Sequence, residues 1–288
     1  MDLVPAQLAA LAAIADHGTF EAAARHLNVT ASAVSQRIRA LESEVGQVVV
    51  QRTVPCRPTP AGEVLVRLAR QTRLLHDEVS DALAHGHVGT VELSVAVNAD
   101  SLATWFGDVI GEVATWSAVA LRLHVEDQAF SADQLRAGGV LAAVTSEPTA
   151  VQGCSVEHLG LLRYVPCATP ELAERWRRGR GPDWAAMPVV VFNEKDSLQH
   201  DLLAARGVGE PPVVHRVPTS ADFREAVCRG LGWGMIPAPQ LDGRLVPLGS
   251  RLHVDVPLFW QRWRLDSPTL DRLTDAVRLA AGRVLRRA

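Results

Sequence analysis

The apolar residues of this chain change their spacing once, and that change restricts the fold more than any other feature. From Leu8 to Ala82 they recur three and four apart, as on helices; from Val91 they alternate, through Leu93, Val95 and Val97, as on a strand. A helical N-terminal part followed by a mixed α/β part is expected, and 288 residues suit about two such units better than one core. After the strand at 91–97, Leu102, Trp105, Phe106, Val109, Ile110 and Val113 take helical spacing. A strand at 119–125, a helix at 131–137 and a strand at 140–144 follow, and this βαβαβ order predicts a parallel sheet. A similar series restarts with strands near 163–168, 189–192 and 213–217. Two lobes are expected, one of about 89–162 and 266–288, the other of about 163–265. A last helix at 268–285, with Leu270, Leu273, Val277 and Val284 on one face, should pack back on the first lobe.

Within the helical part, Leu8, Leu11 and Ile14 mark a first helix that His17-Gly18 ends, and Thr19 caps a second at 21–27. Asn28-Val29 makes a short turn. Thr30 caps a third helix in which Val34, Ile38, Leu41 and Val45 form one buried stripe. Its opposite face carries Ser32, Ser35, Gln36 and Arg39, flanked by Arg37, all able to bond base edges or phosphates. Two helices across a tight turn, the second apolar behind and polar in front, make a helix-turn-helix. Val48-Val49-Val50 then reads as a strand, 54–58 as a turn and Thr59-Pro60-Ala61-Gly62 as entry into another helix, the place of a wing. The whole chain carries a net charge of −3, which excludes a protein that coats nucleic acid indiscriminately. Residues 1–62 are formally neutral, yet Arg37, Arg39, Arg52 and Arg57 gather on the recognition helix and wing. The competing reading of this segment is a three-helix protein-interaction module with a solvated polar face.

Leu65, Leu68, Thr72, Leu75, Val79 and Ala82 follow with the a/d rhythm of a two-helix seam, so 63–88 is expected to be a linker and dimerisation helix, with Leu65, Leu68, Leu75 and Val79 in the seam. His85-Gly86-His87-Val88-Gly89 reads as a hinge rather than a metal pair. In parallel sheets ligands bind beyond the carboxyl ends of strands. Those positions are polar here: Asn98, Asp100 and Ser101 after the first strand, Glu126 and Asp127 after the second, Thr145 after the third, then Asn193, Thr219 and Ser220. Each taken alone also suits a helix cap or turn, and it is their convergence that points to a ligand.

Cys56, Cys154, Cys167 and Cys228 are scattered, without the spacing of a disulfide framework or zinc site, so neither metal nor cofactor is expected. Hydrophobic residues at 48% and charged residues at 21% are the composition of a soluble globular chain. No apolar run approaches a spanning helix, and Met1-Asp2-Leu3-Val4-Pro5 lacks a signal-peptide pattern, so a cytoplasmic protein is expected.

The residues carry a family resemblance. Thr19-Phe20-Glu21-Ala22-Ala23-Ala24, the run from Ala33-Val34-Ser35-Gln36 to Leu41-Glu42, then Gly46, Arg52 and Thr59-Pro60-Ala61-Gly62 resemble the reader domain of LysR-type transcriptional regulators. The family often has Gln-Pro-Ala-Val-Ser-Arg where this chain has Ala31-Ser32-Ala33-Val34-Ser35-Gln36, so Ala31 cannot make the glutamine contact. The second half resembles the family's effector domain, which is similar to periplasmic binding proteins. Val97-Asn98-Ala99-Asp100-Ser101, Val125-Glu126-Asp127 and the wing from Arg52 to Thr59 look like the ArgP/LysG subfamily, regulators of lysine and arginine export. The resemblance implies a winged helix-turn-helix at 1–62, a coiled-coil linker at 63–88 and an effector-binding domain at 89–288. It also implies double-stranded operator DNA, lysine or arginine, a homodimer or tetramer, and RNA polymerase as partners. Asp100, Glu126 and Asp127 are apt for a cationic ligand.

Three other readings remain in view. One is a LysR-type regulator with a different effector; an anionic one would want arginines or bare helix N-termini where Asp100, Glu126 and Asp127 stand. Another is a simple amino-acid-binding protein. The third is an enzyme built on Cys154 and His158, and against it stands the lack of any G-x-S-x-G, H-E-x-x-H or P-loop.

Overall fold

A computed structural model describes residues 2–83, 90–126, 131–194 and 196–287. Pro5 opens α1 (Pro5–His17), where its missing N–H has no partner to lose, and Gly18 ends it in a left-handed conformation. α2 (Phe20–His26) and α3 (Ala31–Val45) follow, joined by a turn in which Asn28 takes φ 54°. Leu8, Leu11, Ile14, Val34, Ile38 and Leu41 meet in one core, each contributing roughly 1.5–3 kcal/mol by leaving water. The wing is shorter than the sequence suggests: β1 (Val50–Gln51) pairs antiparallel with β2 (Arg57–Pro58), so 57–58 is strand and not turn. Thr59 holds the preceding segment, its N–H donating to Val49 O (3.0 Å) and its Oγ1 to Val48 O (2.7 Å).

α4 (Pro60–Leu83) starts three residues before the expected linker and is shared between two cores. Leu65, Val66 and Ala69 belong to the core of α1–α3, whereas Leu74 belongs to the core of the second half. Leu65 is therefore buried within its own chain and is corrected as a seam residue; at 100° per residue it sits on the shoulder nearest Val66 and Ala69, the side packed on α1. Leu68 (38% exposed), Leu75 (36%) and Val79 (57%) remain open with Val64 and Leu83 along one stripe. The histidines at 85 and 87 lie outside the described residues.

The second half begins with β3 (Val91–Asn98), α5 (Ala99–Leu102) and α6 (Phe106–Val113). The expected single helix is thus broken where Thr104 Oγ1 turns back to Asp100 O (2.6 Å) and Trp105 is buried. β4 (Val119–Glu126), α7 (Ser131–Arg136) and β5 (Ala142–Thr145) complete the βαβαβ unit. β3 pairs parallel with both β4 and β5, and its residues are buried almost without alternation, as in a strand covered on both faces. β6 (Cys154–Ala168) then runs unbroken through 162–163, where the sequence reading puts the lobe boundary. After it come α8 (Pro170–Arg175), the small hairpin β7 (Arg177–Arg178) and β8 (Gly181–Pro182), β9 (Val189–Val191), α9 (Leu198–Ala204), β10 (Val214–Arg216), α10 (Ser220–Cys228), β11 (Gly234–Pro237), β12 (Val246–Pro247), β13 (Val254–Trp263) and α11 (Pro268–Val284).

One seven-stranded sheet in the order β11-β6-β13-β5-β3-β4, with β12 on β6, joins what the sequence divides; β9 and β10 form a separate parallel pair. β13 lies antiparallel to both β5 and β6, so β6 and β13 are the strands that cross between the halves. α11 packs on α6 and β6 through Leu270, Leu273 and Val277, but Val284 is exposed and Leu285 takes the buried place. Buried Gln261 is fully engaged: its Oε1 accepts from Val151 N (2.9 Å) and its Nε2 donates to Glu147 O (2.9 Å) and Thr149 O (3.0 Å). That network pins the loop that leaves β5.

Candidate functional sites

The first site is the polar face of α3. Thr19 Oγ1 accepts from Ala22 N and Thr30 Oγ1 from Ala33 N, both at 3.1 Å, so each helix of the pair begins on a side-chain cap. With Val34, Ile38 and Leu41 buried behind, Ser32, Gln36 and Arg39 are exposed in front, and Ser35 and Arg37 are half-buried beside them. Arg52 is exposed with its guanidinium 5.4 Å from the centroid of the Phe20 ring, a cation–π contact that aims the wing's first arginine. Arg57 is exposed on β2. The face presents hydroxyl, amide and guanidinium groups on a rigid helix, the chemistry of base-edge and phosphate contact.

The second site lies at the carboxyl ends of the parallel strands. Asn98 and Glu126 are register partners at the ends of β3 and β4, and Thr145 ends β5 on the other side of β3. Asn98, Ser101 and Thr145 are buried. Asp100, on α5, reaches across to the other half: Tyr164 Oη on β6 donates to its Oδ2 (2.8 Å) and Ser220 Oγ, at the start of α10, donates to its Oδ1 (2.9 Å). Asp100 and Ser220 are thus brought together. Thr219 and Asn193 have local duties, Thr219 capping α10 at Asp222 N (3.3 Å) and Asn193 Oδ1 accepting from Asp196 N (3.1 Å). Asp127 lies outside the described residues.

Tyr164 was not singled out by sequence reasoning. It is the only tyrosine of the chain and is buried, so its hydroxyl had to find a partner, and that was the available signal. Asn98 Oδ1 and Ser101 Oγ are buried with no hydrogen-bond partner among the described residues. Other buried polar atoms share that state, Gln7 Oε1 and Gln199 Oε1 among them, but these two lie together at the strand ends, where a polar ligand or water can satisfy them.

The Cys154–His158 pair has the geometry of a strand, not of a nucleophile and base. Four residues along β6 separate them by roughly 13 Å, and burial pushes the Cys154 thiol up to about 11. Among the described residues no cluster of three or more His, Cys, Asp or Glu is placed to hold a metal, and no helix is long and apolar enough to cross a membrane.

Residues 5–63 match the family described as bacterial regulatory helix-turn-helix protein, lysR family, and residues 84–281 match the LysR substrate binding domain. The chain is 47% identical over 281 residues to the lysine export transcriptional regulatory protein LysG of Corynebacterium glutamicum, covering 95% of this chain and 96% of that protein. It is also similar to the full-length structure of C. glutamicum LysG with bound effector Arg, with a TM-score of 0.80, 44% identity, and coverage of 99% and 100% of the two chains. The crystal structure of ArgP from Mycobacterium tuberculosis gives a TM-score of 0.85 at 43% identity, covering both chains fully (100% each).

Proposed function

The chain belongs to the LysR family of bacterial transcriptional regulators, and from that premise we propose that it binds operator DNA and answers to lysine or arginine by switching an amino-acid exporter gene. Residues 1–62 act as reader, 63–88 as linker and 89–288 as sensor, in a cytoplasmic homodimer that can pair into a tetramer and engages RNA polymerase when activating. Catalysis has no part in this reading. The observation that carries the effector class is the carboxylate of Asp100, held at the strand ends between α5, β6 and α10, in a chain 47% identical to a lysine export regulator. Asn98, Ser101, Glu126, Asp127, Thr145 and Ser220 complete the effector's surroundings, with Asn193 and Thr219 holding the loops around it. A cationic side chain needs carboxylates, and an amino acid's own charged termini need buried polar groups such as Asn98 Oδ1 and Ser101 Oγ.

Titration calorimetry with lysine, arginine, histidine and glutamate tests the effector: a basic amino acid should bind and glutamate should not. Binding of an unrelated metabolite in their place would favour the second reading, a LysR regulator with another effector.

DNA recognition is carried by Ser32, Ser35, Gln36 and Arg39 on base edges, with Arg37, Arg52 and Arg57 on phosphates. Ser35→Ala or Gln36→Ala should each weaken operator binding by about 1 kcal/mol and relax its sequence preference, since each removes a hydrogen bond. Arg52→Ala should instead weaken all sequences alike and lower the slope of log K against log salt by about 1. Mobility shifts at several salt concentrations read both effects; variants that bind operator as the parent does would remove α3 and the wing from the interface.

A further inference from the structure

α4 carries contacts to both the reader and the sensor of its own chain, among them Leu74 in the sensor core and Glu78 accepting from Ser267 Oγ and Thr269 N, and one residue holds both sides at once. Arg70, on α4, donates through one guanidinium nitrogen to the carboxylate of Asp16 at the end of α1 and through the other to the carbonyl of Gly138 just past α7. Arg67, one turn earlier, donates to Arg136 O (3.2 Å) and lies 5.1 Å from the ring centroid of Trp263. The last carbonyls of a helix lack intrahelical partners and favour cations, so two arginines on α4 match the end of α7. Gly138 makes the approach possible: it has φ +69°, and a Cβ there would stand 2.5 Å from Arg67 Cα. Beside this contact a cavity of about 270 Å3 opens between α1, α4 and β3, lined in part by Ala12, Leu74, Glu92 and Ser94.

α7 is the first element after β4, the strand that ends at Glu126 beside Asn98. A ligand held at those strand ends acts one element away from the carbonyl that Arg70 grips. We propose that Arg70 is a positioning residue that couples effector occupancy of the sensor to the setting of the reader, through its simultaneous hold on Asp16 and Gly138. The inference rests on the effector reading given above. Its guanidinium suits the task because the planar fork fixes two acceptors in one geometry, so α7 cannot move relative to α4 without changing the hold on α1. An effector alters DNA binding only through contacts that differ between two settings, and this fork is such a contact.

The test uses the full-length chain as parent, R70A, D16A, the D16A/R70A double variant and G138A, with arginine as probe. Calorimetry should give every variant the parent's arginine affinity within about twofold, because none of these residues touches the strand ends. The ratio of operator affinities with and without arginine, expected at roughly fivefold or more in the parent, should fall below about twofold in each. The double variant should be no worse than either single one, as for partners in one interaction. G138A reaches the same result with Arg70 intact. Variants that keep the parent's full ratio overturn the proposal.

Where arginine leaves the parent's operator affinity unchanged, hydrogen exchange decides. Arginine should alter the protection of α1 amides in the parent and not in R70A, and α1 unmoved by arginine in the parent overturns the coupling. A parent that binds neither arginine nor lysine overturns the effector reading instead. The fork is then judged alone, by joint loss of protection in α1 and α7 in R70A, and unchanged protection overturns it.

Discussion

Replacing Leu68 and Leu75 together by aspartate is expected to give a monomer that binds operator no better than unrelated DNA. Both leucines face solvent within the chain, at 38% and 36% exposure, on a stripe that continues through Val64, Val79 and Leu83. A helix of 24 residues with such a stripe, about 36 Å long at 1.5 Å per residue, has the length and apolar face that a two-helix seam would use. Two carboxylates in that seam would be desolvated without partners, a cost of several kcal/mol in each subunit that an apolar seam of this length cannot offset. Dimeric helix-turn-helix proteins reach two half-sites one helical turn or a multiple apart, so a monomer would keep only one set of contacts and its affinity would fall towards the non-specific level. Light scattering and mobility shift should lose dimer and operator complex together. The substitution leaves Leu65, Val66 and Ala69 in place, so the variant's circular dichroism should stay close to the parent's, while its melting loses the dimer's dependence on protein concentration. A variant that scatters as a dimer would remove the stripe from the interface.

Local rules explain why much of this architecture was readable. Thr19 and Thr30 are caps because hydroxyls outside a helix satisfy its first N–H groups, and the structure has both bonds. Val91, Leu93, Val95 and Val97 alternate in sequence and form β3, and Leu270, Leu273 and Val277 keep helical spacing and are buried on α11. What escaped depends on partners far along the chain. Leu65 has perfect seam spacing, but spacing cannot reveal that α1 lies against its shoulder of α4. The unbroken course of β6 is sustained by ten register partners on β13, about a hundred residues away, which no local pattern encodes. Val284 continues the α11 stripe in sequence yet is exposed, because the helix ends there and Leu285 turns inward.

The proposed effector site shows the same division. Asn98 and Glu126 could be placed at strand ends from periodicity alone, since the end of an alternating run is visible in sequence. The bond from Ser220 to Asp100 spans 120 residues and that from Tyr164 spans 64, so which polar residues actually converge is a property of the closed sheet. Thr219 and Asn193 looked equivalent to Ser220 and Asp100 by position. Their oxygens are engaged by nearby backbone N–H groups, which is the ordinary fate of such residues at helix starts and turns.

Asp100→Asn should reduce affinity for lysine or arginine by roughly 1.5–3 kcal/mol, about ten- to hundredfold, while leaving operator binding without effector intact. A carboxylate has about four lone-pair sites, so Asp100 can accept from Tyr164 and Ser220 and still receive an ammonium or guanidinium group. Asparagine keeps the size but brings one acceptor oxygen and an NH2 that donates. It loses the charge, and one of the two hydroxyls must turn from donor to acceptor or let go. Tyr164→Phe separates these effects, because it removes one donor to the carboxylate and leaves the charge; its effect on ligand affinity should be the smaller, because the hydroxyl orients Asp100 and does not itself pair with the cation. Calorimetry on the parent and both variants gives the ranking, with Asp100→Asn the more damaging and the deficit shrinking as salt rises in the parent's favourable charge pairing. Equal affinities in all three proteins would mean that the cation is met elsewhere and that Asp100 serves only to join α5 to β6 and α10.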